Sequence, residues 1–137
     1  MATLDLDQIR PGLVGTADLV VTAEHTAAQV GSGRIAVLAT PVMINVIEAA
    51  ALAAAEPLLP AGHQSLGIHL DIRHFAATPV GLRVTAMAEV VAVDGRTISF
   101  KISVRDEFEP IGDGTHQRVV VNVDRYAERI RRKSGST

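Results

Sequence analysis

No cysteine occurs in this 137-residue chain, which removes disulfides, thiolate metal ligands and a cysteine nucleophile together. Tryptophan is also absent, and the aromatics are limited to Phe75, Phe100, Phe108 and Tyr126. Neither sign of charge dominates: a formal net charge of −2 gives no reason to expect a nucleic-acid partner. One basic cluster, Arg129, Arg131, Arg132 and Lys133, sits near the C-terminus. It reads as the solvated end of a last helix, where cations complement the helix dipole, or else as a contact for the phosphates of a nucleotide-bearing substrate. No apolar run has the flanks of a signal peptide, and the Ala-rich run is short for a membrane span, so the expectation is a cytoplasmic protein with no membrane partner. The histidines, at 25, 63, 69, 74 and 116, form no metal-ligand spacing, so no metal is expected.

What is present is the composition of a globular chain, 47% hydrophobic and 20% charged, of a length that suits one domain over residues 1–137. The first twelve residues read as an irregular lead-in ending at the turn signal Pro11-Gly12. Residues 13–23 have the Val/Thr content of a strand, and 25–34 read as a short helix or loop. Thr40-Pro41 is a helix start, with Thr40 as the N-cap and proline just inside, and Pro57 and Pro60 close that helix near Glu56. Residues 65–75 then alternate Leu66, Ile68, Leu70, Ile72 against Gly67, His69, Asp71, Arg73, the period-2 mark of a strand with one buried face. Strands follow over 82–93, 97–106 and 111–123, with a hairpin turn at Asp94-Gly95. A terminal helix over 124–133 is expected with Asp124 as its cap.

A helix so apolar must be covered on most sides. The simplest arrangement is α+β: a curved antiparallel sheet wrapped round the long central helix, with a short C-terminal helix. Such a sheet leaves free edges, so a homodimer joined edge to edge is expected.

Within the helix Glu48 is conspicuous. From Val42 to Ala55 the only polar residues are Asn45 and Glu48. A carboxylate in apolar surroundings is costly unless paired or protonated, which makes Glu48 a candidate acid, base or nucleophile. It is equally explained as a structural carboxylate, or as one projecting into solvent along the narrow line it shares with Asn45.

This layout resembles the hotdog fold, and the stretch from Ala39 onward is similar to the fluoroacetyl-CoA thioesterase family. The residues that carry the resemblance are Ala39-Thr40, Glu48, Ser65-Leu66-Gly67, His74 with Ala76-Ala77-Thr78-Pro79 and Gly81-Leu82, then Ile111-Gly112, Gly114-Thr115-His116 and Arg118. The resemblance implies a catalytic Thr40, Glu48 and His74, with Gly67 at the acyl pocket and Arg118 beside the active site. It further implies hydrolysis of a small acyl-CoA to free acid and CoA, coenzyme A entering as part of the substrate and no separate cofactor being required.

Each residue also has a plainer explanation. Thr40 can be an ordinary cap, His74 a surface residue beside Phe75, Gly67 a bulge, and Arg118 the partner of a cross-strand acid such as Asp106. A non-catalytic acyl-CoA-binding module and a dehydratase-like enzyme are the competing functions. If Thr40 begins the helix, Glu48 stands about 12 Å further up its axis. The two then meet only if the chain at Thr40 folds back or if they come from different subunits. Donors for a developing oxyanion are expected from Met43 or its neighbours at the helix start, or from Gly67. The family's aromatic lid position is occupied here by Arg34, followed by Ile35, which points to a small acyl-CoA other than fluoroacetyl-CoA.

Overall fold

The computed structural model describes residues 4–135. Strand β1, Val14–Val20, is followed by a 3-10 turn at Ala23–His25 and a four-residue helix α1, Ala27–Val30. The long helix α2, Thr40–Ala55, continues as a 3-10 turn over Glu56–Leu58. Strands β2 (His63–His74), β3 (Arg83–Asp94), β4 (Thr97–Arg105) and β5 (Pro110–Asn122) and helix α3 (Val123–Lys133) complete the order. All strands belong to one antiparallel sheet ordered β1-β3-β4-β5-β2. The strands β3, β4 and β5 pair as successive neighbours, while β1 and β2 form the two edges.

Helix α2 buries Met43, Val46, Ile47, Ala50, Ala51, Ala54 and Ala55, the i, i+3, i+4 repeat of one helical face. That face lies chiefly over β1 and β3, whose inward Val84, Ala86, Ala88 and Val90 are fully buried. Alanine on both surfaces lets the backbones approach closely. The closest point is Gly15 of β1, where an added Cβ would collide with Ala50 O, Ala54 N and Ala54 Cβ. Phe100, Ile98, Ile102 and Val104 of β4 and Ile111 and Val120 of β5 extend the core, and Leu6 and Ile9 of the lead-in are also buried. By length and composition the helical run Thr40–Leu58, 19 residues, is enough to cross a membrane, so length does not exclude a span. Its packing against the sheet is that of a core helix.

Several sequence expectations are corrected. The first strand ends at Val20, and Thr22 folds back onto His25, with Thr22 N–H donating to His25 Nδ1 at 2.9 Å. The N-cap of α2 is Ala39, and Thr40 is already helical; its hydroxyl is not spent on the helix terminus. The cap of α3 is Asn122, whose side chain accepts from Arg125 N–H, leaving Asp124 inside the first turn. The loop of the β3–β4 hairpin is Gly95-Arg96, since Asp94 pairs with Thr97; Gly95 has φ 59°, the glycine-first pattern of a tight hairpin.

The largest correction concerns β2. A bulge between Gly67 and His69 inserts one residue opposite β5, so the alternation inverts along the strand. Ser65 and Gly67 pair with Val120 and Arg118, and beyond the bulge Leu70, Ile72 and His74 pair with His116, Gly114 and Gly112. Leu66, expected on the buried face, therefore lies on the other side of the sheet. Leu66, Ile68 and Leu70 are all exposed on this free edge, Ile68 by 54%.

Candidate active site

Two groups of polar side chains stand where α2 meets β2 and β5. The first joins the ends of two elements. Thr40, in the first turn of α2, places Oγ1 2.7 Å from Nδ1 of His74, the last residue of β2. His74 is half-buried, and burial lowers its pKa below the ordinary 6.5, the Ala76 backbone opposing in part. The ring is therefore neutral at neutral pH and can accept the Thr40 hydroxyl proton on Nδ1. Its Nε2 is buried with no hydrogen-bond partner among the described residues, a costly arrangement for a polar atom. Thr40 is exposed and, with His74, lines a cavity of about 330 Å³ whose other walls include Ser32, Arg34, Ile35 and Phe75. Residues 32–37 contribute no ring to this rim, but Phe75, next to His74, does.

The second group is built on Arg118, which is buried to all but 4%. Its Nε donates to Ser65 Oγ at 2.8 Å, Nη2 to Ser65 O at 3.0 Å, and Nη1 to Glu48 Oε2 at 3.1 Å. Nη1 also lies 3.2 Å from His116 Nε2. His116 Nδ1 is 2.9 Å from the His69 carbonyl, which can only accept; Nδ1 thus carries the proton and leaves Nε2 as a bare acceptor for the guanidinium. Burial holds His116 below its usual pKa, the His69 carbonyl opposing and the Arg118 charge adding to the lowering. Phe100 stacks on the ring at a centroid separation of 6.0 Å. Ser65 passes the chain of contacts on, its hydroxyl lying 3.2 Å from Glu56 Oε2. Each of the three guanidinium nitrogens of Arg118 therefore has a partner, and the group is held in one orientation toward Glu48.

Glu48 is not the sealed carboxylate the helix pattern suggests. Its side chain is 35% exposed and paired with Arg118. Gly67 makes room for it: a Cβ there would come within 2.5 Å of Glu48 Oε2 and 3.2 Å of His116 Cε1. The supposed Arg118–Asp106 pair does not form; Asp106 instead accepts from Thr78 Oγ1 at 2.9 Å and from the N–H groups of Phe108 and Glu109 in the β4–β5 turn.

The five residues expected from sequence thus fall into two clusters, Thr40 with His74 and Glu48 with Gly67 and Arg118. Thr40 and Glu48 lie on one continuous helix, about 12 Å apart along its axis, so the chain does not fold back to join them. The donors expected at Met43 and its neighbour are spent, since Val42 and Met43 N–H both go to Ala39 O at 3.1 Å. Sequence reasoning missed Ser65, Glu56 and the part played by His116. The signal for His116 was its position two residues from Arg118, on the same face of β5. Among the described residues, no three His, Cys, Asp or Glu side chains are grouped so as to hold a metal ion.

A curved antiparallel sheet over one long helix is the architecture of the hotdog thioesterases. Known proteins agree. A family model described as fluoroacetyl-CoA-specific thioesterase matches residues 21–124. The fluoroacetyl-CoA thioesterase of Streptantibioticus cattleyicolor is 40% identical over 98 residues, 72% of this chain and 70% of that protein. A variant of a fluoroacetyl-CoA thioesterase solved in complex with acetyl-CoA superposes with a TM-score of 0.85 at 35% identity, covering 90% of this chain and 98% of the other. A thioesterase superfamily member from Thermus thermophilus gives a TM-score of 0.86 at 26% identity, covering 93% and 94%. This chain belongs to the fluoroacetyl-CoA-specific thioesterase family and is an acyl-CoA thioester hydrolase. With that membership the non-catalytic module gives way to an enzyme.

Proposed function

We propose that the protein hydrolyses a small acyl-CoA at a site made of Thr40 and His74 from one subunit and Glu48, with Gly67 and Arg118, from the other. The observation that carries this reading is the 2.7 Å contact between the Thr40 hydroxyl and the neutral His74 ring. A hydroxyl against an imidazole base is the nucleophile–base pair of acyl transfer. As the Thr40 oxygen bonds to the thioester carbon, His74 takes its proton. The C–S bond then breaks, and the proton passes to the departing sulfur. A water molecule, deprotonated by the same ring, attacks the threonyl ester; the ester C–O bond breaks, the ring returns the proton to the Thr40 oxygen, and the acid is released. Thr40 N–H, at the first position of α2, has no acceptor among the described residues and would face the developing oxyanion, aided by the positive end of the helix.

The unpartnered Nε2 of His74 supports completion of the site by a carboxylate. Antiparallel pairing of the free β2 edge with its symmetry mate, in the register that sets His74 against Gly67 of the partner subunit, would bring Glu48 of the partner subunit to that nitrogen. The same pairing would cover the exposed Leu66, Ile68 and Leu70. A small acyl group other than fluoroacetyl is supported by Arg34 at the rim, which supplies a charge where the family is expected to place a ring.

The test is thiol release from a panel of short to long acyl-CoAs, fluoroacetyl-CoA included, by the wild type and by Glu48→Gln. Turnover of a short member that falls at least a hundredfold in Glu48→Gln is expected. Unchanged turnover in that variant would remove Glu48 from the mechanism, and strong preference for fluoroacetyl-CoA over acetyl-CoA would overturn the substrate assignment.

A further inference from the structure

The cavity beside Thr40 and His74 has an uneven charge. Among its lining residues Arg34 carries the single full charge; the rest are apolar, glycine, or the neutral polar Ser32, Thr40 and His74, and no carboxylate lines it. Five other arginines form ion pairs, Arg73 with Asp113, Arg83 with Asp18, Arg118 with Glu48, and Arg131 and Arg132 with Glu128. The Arg34 side chain has no hydrogen bond or ion pair among the described residues and is exposed on the rim.

We propose that Arg34 receives a carboxylate at the far end of the acyl group, so that the favoured substrates are short carboxyacyl-CoAs, monothioesters of dicarboxylic acids. The inference rests on the thioesterase reading of the same site. Within one chain the pocket offers this guanidinium no acidic partner, and the carboxylate that the proposed dimer would bring to His74 is already paired with the Arg118 of its own chain; the planar fork of Arg34 is thus free to match a ligand carboxylate through two parallel hydrogen bonds. The phosphates of CoA are the other anions the substrate carries. They lie a whole pantetheine arm beyond the thioester sulfur, whereas Arg34 lines the same 330 Å³ cavity as Thr40. A three- or four-carbon acyl chain is far shorter than that arm, and its far end stays near Thr40 and the cavity that Arg34 shares with it. The reaction balances as ordinary hydrolysis: the oxygen of water ends on the carbonyl carbon, the C–S bond breaks, CoA leaves as the thiol with one proton, and a dicarboxylate is released. The guanidinium binds the spectator carboxylate and exchanges no proton.

The test compares kcat/KM for malonyl-CoA against propionyl-CoA and succinyl-CoA against butyryl-CoA, in the wild type, Arg34→Gln and Arg34→Glu. The same acyl groups are also offered on N-acetylcysteamine, which has no phosphates. The wild type is expected to favour one carboxyacyl member at least tenfold over its neutral counterpart on both thiols. That ratio should fall to near one in Arg34→Gln, through KM, and invert in Arg34→Glu. Equal ratios in all three proteins would overturn the inference, as would an Arg34→Gln effect that appears with CoA thioesters but vanishes on N-acetylcysteamine, which would assign Arg34 to the phosphates. Turnover of neutral members alone would overturn it while leaving the thioesterase reading intact. Absence of thiol release from every thioester would overturn both.

Discussion

In the proposed mechanism His74 and Gly67 act in different ways, one by titration and one by the volume it leaves free. His74 must be unprotonated to accept the Thr40 proton, and burial lowers its pKa from 6.5. The carboxylate proposed at Nε2 would oppose that lowering, so removing it in Glu48→Gln should move the acidic limb of the residual kcat/KM to lower pH. A limb that stays in place in Glu48→Gln would contradict a carboxylate at that nitrogen. Gly67→Ala tests the close approach to Glu48. Its Cβ would displace Glu48 Oε2 from Arg118, so kcat should drop on the order of tenfold or more with the fold retained. Activity within twofold of wild type would show that the carboxylate position is unimportant. Thr40, Glu48, Gly67, His74 and Arg118 were legible in the sequence as types at family spacings. Their partition was not, because Thr40–His74 and Glu48–Arg118 are contacts across 34 and 70 residues that no local pattern encodes.

At the scale of elements, the parts that sequence made plain are those whose determinants are local. The helix α2 follows from its apolar repeat and flanking prolines, and β3, β4 and β5 from alternation bounded by turn residues. What was misread depends on remote partners. The bulge in β2 arises from pairing with β5, and it turns a pattern that reads as one buried face into a strand whose centre is exposed on both sides. Thr40 has the identity of a cap, yet its hydroxyl goes to His74. Among the described strands, β2 combines a free edge with an exposed Leu66, Ile68 and Leu70, which is a template for pairing unless a second copy covers it. Ile68→Lys, a charge on that edge, should convert a dimer to a monomer in sedimentation and abolish thiol release together. A fully active monomer would refute pairing through β2.

For the whole molecule, the sheet and α2 hold two polar clusters, Thr40 with His74 and Glu48 with Arg118, each of them half of the proposed site. Thr40 and His74 lack a carboxylate, and Glu48 lacks a nucleophile. In the proposed dimer, two-fold pairing would supply both, twice, and dimerisation would be part of the active site and not only a source of stability. The central claim is that Thr40 and Glu48 of one site come from different subunits. It is tested most directly by mixing two inactive proteins, Thr40→Ala and Glu48→Gln, under conditions that exchange subunits, and measuring thiol release. If the sites cross the interface, each mixed dimer contains one site with both residues intact, and random exchange should restore about one quarter of wild-type activity. If the mixture stays as inactive as its components although mixed dimers are shown to form, both residues serve the same chain's site and the account is contradicted.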